Sequence, residues 1–196
     1  MATTPMTAAE HKERTARSYK LLLWFAMASM FMMFAGITSA FIVSKSREDW
    51  MKDFQFPTAF YFSTLAIILC SVTFHLAKKA ISKDNRSATT GFLWVTLILG
   101  AAFVFLQFEG FGQLMNQGYY FTGPQSNIAT TFLYVIAVVH LAHLAGGIIS
   151  LLIIIYNHFK QKYNSSQLLG IELGAMYWHF LDFLWICLFF FLYFFK

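Results

Sequence analysis

Two short segments hold the residues with the most chemistry in this chain. VVHLAHLAGG carries His140 and His143, and YWHFLDFLW carries Trp178, His179 and Asp182. On a helix, the spacing i, i+3, i+7 puts His140, His143 and Gly147 on one face, and His179 and Asp182 share a face in the same way. Two histidines at that spacing can share a metal, provided that further ligands of suitable type converge on them. A histidine and an aspartate on one face can begin an active site or act as a hydrogen-bonded strut. A third polar set, Gln107, Glu109 and Gln113, interrupts FVFLQFEGFGQL. His75 adds one more option: paired with His179 it would supply the two axial ligands of a b-type haem.

The elements that must position these groups follow from composition. The 196 residues are 58% hydrophobic and 12% charged, whereas a soluble domain carries about a quarter charged residues. That much apolar surface needs a bilayer as its solvent. A hydrocarbon core of about 30 Å takes roughly 20 apolar residues per helix. Five runs meet this, at 21–43, 59–77, 91–114, 130–156 and 175–195. The polar segments between them are too short to hold a soluble domain. The expected architecture is all-α, a single membrane domain over 1–196 with five transmembrane helices. Residues 1–20 are expected to form a polar cytoplasmic tail: no small-residue cleavage site follows it, and Glu10 and Glu13 interrupt the basic pattern of a transit peptide.

Basic residues set the orientation, because Lys and Arg gather in the loops that stay inside. Lys12, Arg14, Arg17, Lys20, Lys78, Lys79, Lys83, Arg86, Lys160 and Lys162 fall on one side. Only Lys45, Arg47, Lys52 and Lys196 fall on the other. The amino terminus is expected inside and the carboxy terminus outside. The net charge of +5 is thereby explained without a nucleic-acid partner. Cys70 and Cys187 form no CxxC pair and are expected to be small buried hydrophobes. Small residues at Ala35, Gly36, Ser39 and Ala40, and at Ala142, Ala145, Gly146 and Gly147, are expected to let helices approach closely.

Depth decides between the options for the polar groups. At about 1.5 Å per residue, His140 lies near mid-membrane, His179 about one turn from the inner end and Glu109 near the outer interface. They do not converge on one metal centre, and a copper–haem centre would need several histidines at one depth. The expected roles are therefore structural, since ionisable groups in hydrocarbon mostly pair inside the bundle. His140 and His143 should bond to neighbouring helices, and His179 and Asp182 should form a fixed polar unit with Trp178 and Trp185 packed beside them. Glu109 is either solvated or bonded to the fourth helix. A transporter would be expected to have broken helices around a midplane site, but Pro5, Pro57 and Pro124 all lie in tails or loops.

FAGITSAFIV, LYVIAVVHLAHLAGGI and YWHFLDFLWICLF, in this order, resemble subunit III of haem–copper oxidases. The family patterns are HxxHxxGG and YWHFVDxxW, the latter matched here with Leu181 in place of valine, and the loop from Gly118 to Gly123 is also similar. The five helices resemble the last five of longer members. The resemblance implies an accessory, non-redox subunit with no catalytic residue, cofactor or metal of its own, in a multi-pass location in the bacterial inner membrane. Haem and copper are expected in the partner subunits. It implies contact with the catalytic subunit I, other oxidase subunits and membrane lipids, with a respiratory supercomplex as a further partner. The complex would reduce oxygen to water and pump protons, with this subunit supporting stability, proton supply and lipid binding. Cytochrome c oxidase is the first reading; a quinol oxidase subunit III and a b-type electron carrier are the alternatives. Two departures stand out. The family's Ser-Glu pair in the first shared helix corresponds to Ser29-Met30, and Gln107-Phe108-Glu109 replaces Gln-x-x-Glu.

Overall fold

The computed structural model describes residues 7–47, 50, 55–123, 126–164 and 167–195. Among them the chain forms five helices and no strand: α1 (Ala8–Ser44), α2 (Thr58–Ser82), α3 (Arg86–Asn116), α4 (Ile128–Phe159) and α5 (Leu169–Phe195). Each contains one of the apolar runs, and all five are long and apolar enough to cross a membrane. Pro57 precedes α2 as its N-cap; Pro5, Pro124, Lys52 and Lys196 lie outside the described residues.

The helices outrun the apolar segments because polar residues cap and extend them. The tail becomes helical at Ala8, where Thr7 and Glu10 form a reciprocal capping box, with the Thr7 amide donating to Glu10 Oε2 at 2.8 Å. Arg17 then pairs with Glu13 one turn back. Asn85 and Asn127 accept from the amides of Ala88 and Thr130, starting α3 and α4. Between α2 and α3 the chain reverses through Asp84 at φ 54°, a left-handed conformation that aspartate tolerates better than most residues.

α2 and α3 form the most extensive helix pair, and α4 closes against α3. α5 runs through the middle, against α1, α2 and α4, and its two tryptophans reach α3. Within its most apolar window 44% of α5 is buried in the protein, against 11% for α1. α1 touches the bundle along a single stripe, Met27, Phe34 and Phe41. The helix carrying YWHFLDFLW is therefore the most enclosed of the five.

Two expectations about small groups need correction. Cys70 is buried, but Cys187 is exposed, in a shallow groove between α5 and α1 beside Phe34, Thr38 and Phe191. Ala35, Gly36, Ser39 and Ala40 are exposed too, and a Cβ added at Gly36 would meet nothing within 4 Å. In the second group only Gly147 is buried.

Candidate functional site

The α5 motif works through its two tryptophans first. Trp178 is wholly buried and touches three helices. Its Nε1 donates to the Gly147 carbonyl of α4 at 3.1 Å, its ring lies edge-on to Phe74 of α2, and it fills the space over Gly100 of α3. A Cβ at Gly100 would stand 3.2 Å from Trp178 Cη2. Gly100 and Gly147 thus make room for the indole, one on each side. Two turns on, Trp185 donates from Nε1 to Thr64 Oγ1 of α2 at 3.1 Å, packs edge-on against Phe103 of α3 at 5.2 Å, and lies over His140 of α4 at 5.0 Å.

His140 and His143 differ from the expectation of imidazoles bonded across helices. His140 is fully buried, yet both ring nitrogens lack a hydrogen-bond partner. Its neighbours are the rings of Phe34, Phe103 and Trp185. The residues across this helix face are aromatic, so polar partners for His140 are missing. His143 bonds to the Val139 carbonyl of its own helix through Nδ1 at 2.8 Å. Here the bonds between helices end on backbone. Tyr177 Oη donates to the His143 carbonyl at 2.9 Å, as Trp178 does to that of Gly147.

His179 and Asp182 share a side of α5, and a third group joins them. Ser71 of α2 shares a hydrogen bond of 2.7 Å with His179 Nδ1. Asp182 is only 2% exposed, and neither carboxylate oxygen has a hydrogen-bond partner. Ser71 and Cys70 are its polar neighbours. The unit is therefore a histidine–serine bond with an unsatisfied carboxyl beside it, without a direct His–Asp contact. His75 lies at the same level, its ring centre 6.2 Å from that of His179 with a 46° tilt, and it is exposed.

Ser71 is the residue that sequence reasoning missed. Its signal was present, since Ser71 and His75 stand at i, i+4 on one face of α2.

Glu109 is exposed, and no hydrogen bond or ion pair reaches it from the described residues. Gln107, two positions earlier, is fully buried and donates to Ser63 Oγ of α2 at 2.9 Å. About 200° of helical rotation separates the two side chains, which turns one to the core and the other outward. Gln113 accepts from Thr58 Oγ1 and from the Ala59 amide at the start of α2. Among the described residues no group of three or more His, Cys, Asp or Glu is placed to hold a metal ion.

At the end of the bundle where α5 begins, Lys20 of α1 pairs with Glu172 at 2.8 Å. Tyr163, in the α4–α5 loop, is buried, which pushes its phenol up, and Arg86 donates to its carbonyl. Beside this end, a groove of about 840 Å³ opens between α1 and the α4–α5 pair, lined by Tyr19, Leu23, Gly146, Ile153, Leu173 and Tyr177 among others.

Comparison with known proteins gives this arrangement a context. The chain is 28% identical over 163 residues to the cytochrome bo(3) ubiquinol oxidase subunit 3 of Pseudomonas putida, covering 83% of this chain and 75% of the relative. It is 28% identical over 187 residues to the cytochrome c oxidase subunit 3 of Thermostichus vulcanus, covering 93% and 89%. The cytochrome c oxidase subunit 3 of Spodoptera frugiperda is 32% identical over 136 residues, with 69% and 86% covered. Five membrane spans and bacterial relatives of this kind make it a multi-pass protein of the inner membrane. The family described as cytochrome c oxidase subunit III matches residues 3–196; with nearly its whole length matched, the chain belongs to that family.

Proposed function

We propose that this chain is the accessory third subunit of a bacterial respiratory haem–copper oxidase. It carries no redox centre, and it holds the catalytic subunit and its lipids in place. The observation that carries this reading is the use made of the motif residues. Trp178, Trp185 and Tyr177 are spent on joining α5 to α2, α3 and α4, which is the work of a scaffold. Haem and copper belong to the partner subunits, and the subunit contributes a rigid membrane surface beside them.

Orientation follows the basic residues, with the amino terminus inside and the carboxy terminus outside. On that orientation His75, His179 and the Lys20–Glu172 pair lie at the inner end, where a proton-pumping partner takes up protons. The groove beside Tyr19, Leu23 and Tyr177 has the size and apolar lining for lipid chains. Glu109 is turned outward near the opposite interface, where headgroups, water or a partner subunit can solvate it.

Both kinds of oxidase occur among the relatives, so the electron donor is assigned by experiment. Tagged chain, extracted in a mild detergent, is expected to bring down a haem-containing catalytic subunit. The captured complex, supplied with reduced cytochrome c or with quinol, identifies the donor by which one it oxidises. Isolated chain is expected to have no haem absorption. A Soret band in the isolated chain that is lost in His75→Phe or His179→Phe would replace this reading with the b-type carrier.

A further inference from the structure

α1 and α5 lie side by side and run in the same direction. Lys20 of α1 pairs with Glu172 near the start of α5 at 2.8 Å, and at the far end Lys45 Nζ lies 5.9 Å from the centre of the Phe195 ring. α1 has 37 residues, a length of about 55 Å at the rise of an α-helix. A hydrocarbon core of about 30 Å cannot hold all of it. The apolar run of α1 opens at Leu21, so the turns before it stand among headgroups and in the water beyond them.

Two hollows follow one another along this pair of helices. The first, of about 440 Å³, is bounded by Lys12, Glu13 and Lys20 of α1 and by Gln167, Leu169 and Glu172 around the start of α5. The second is the groove of about 840 Å³, met one turn further along both helices at Leu23 and Leu173. The first is lined mainly by charged and polar side chains and the second mainly by apolar ones. Together they make one cleft, with a charged mouth at the membrane surface and an apolar trough below it. A phospholipid divides into head and chains in the same order.

The charges at the mouth select the head. Lys20 and Glu172 pair with each other, and Glu13 pairs with Arg17 at 2.6 Å. Among the described residues Lys12 has no ion pair. Lys12 and Lys20 balance Glu13 and Glu172, so the lining carries no net charge. A lipid with only a phosphate charge would leave both carboxylates unanswered. A head that carries a phosphate and an ammonium answers both signs.

We propose that the cleft between α1 and α5 binds a phospholipid whose head carries an ammonium group as well as the phosphate. Lys12 takes the phosphate, Glu13 takes the ammonium, and the trough holds the acyl chains. This rests on the reading of the groove as a place for lipid chains, and it adds the class of headgroup.

The test uses the full chain in a mild detergent, freed of co-purified lipid. It is given equal amounts of phosphatidylethanolamine and phosphatidylglycerol with the same acyl chains, and bound lipid is counted by native mass spectrometry. Phosphatidylethanolamine is expected to be preferred by at least about threefold, the scale of one exposed ion pair. Glu13→Gln removes the partner of the ammonium and should abolish the preference. Lys12→Gln should lower uptake of both lipids by about threefold. Gly146 is exposed and lines the trough, so Gly146→Leu should reduce both lipids alike by filling it. Equal uptake of the two lipids by the unaltered chain overturns the proposal, as does a preference that survives Glu13→Gln. Uptake of neither lipid also overturns it and leaves the cleft to a protein segment. Capture of a haem-containing subunit by each tagged variant is read separately, so that failure of the lipid site and failure of the accessory role are told apart.

Discussion

Trp178→Phe removes two things that can be separated. The indole N–H that donates to the Gly147 carbonyl at 3.1 Å is lost, and interhelical hydrogen bonds in membranes average about 0.6 kcal/mol. The outer ring over Gly100 is lost as well. It amounts to roughly 40 Å³ of side chain, and at about 24 cal/mol per Å³ of residual cavity this costs about 1 kcal/mol. The full chain in mild detergent should therefore lose about 1.5 kcal/mol, read by circular dichroism as a denaturing detergent is titrated in. Gly100→Ala alone puts a methyl 3.2 Å from Trp178 Cη2, a tight contact that the buried indole cannot avoid by rotating. Phenylalanine lacks that atom, so the alanine methyl fills the space the smaller ring leaves. In the double variant the two changes should partly cancel, with a favourable coupling of about 1 kcal/mol. The intrinsic preference of alanine over glycine in a helix drops out of the cycle. A coupling below about 0.5 kcal/mol, the range of ordinary additivity, would refute the claim that Gly100 exists here to seat the indole.

Three further outcomes follow from the same contacts, each read by the same unfolding titration. Thr64→Val keeps the shape of the side chain but leaves Trp185 Nε1 buried without its acceptor, a loss of about 1–3 kcal/mol; Thr64→Ser should restore most of it. Tyr177→Phe removes the hydroxyl bonded to the His143 carbonyl and should cost only about 0.6 kcal/mol. Lys20→Ala breaks a pair whose side chains are 41% and 30% exposed, so it should cost no more than about 1 kcal/mol, with the difference shrinking at high salt.

Span, number and class were legible in the sequence because they depend on local quantities. An apolar run of about 20 residues becomes a helix in lipid, since only a helix satisfies all of its backbone groups within one segment. The grouping of His140 with Gly147, and of His179 with Asp182, was equally local, because it follows from the turn of one helix. The matched level of His75 and His179 came from counting rise along two neighbouring helices. The tail of α1 also had its signal in the capping box at Thr7 and Glu10, although composition alone presents it as a polar segment.

What faces each of these side chains was a different matter. His140 and His143 occupy the helix face that the spacing assigns them, yet one meets only aromatic rings and the other bonds to its own backbone. The same is true of Gly36 and Gly147, both small and both within apolar runs, of which one faces open space and the other an indole. Ser71 gained its place beside Asp182 only when α2 and α5 came together. By itself, then, the sequence determined five membrane helices, the family and the helix face that each pair of ionisable residues shares. The tertiary structure alone decided that α5 is central, that its tryptophans are the ties between helices, and that Asp182 is enclosed next to a serine and a histidine. The physical reason is that a helix's own periodicity sets which of its residues share a face, while the partner of that face is set by packing against residues distant in the chain.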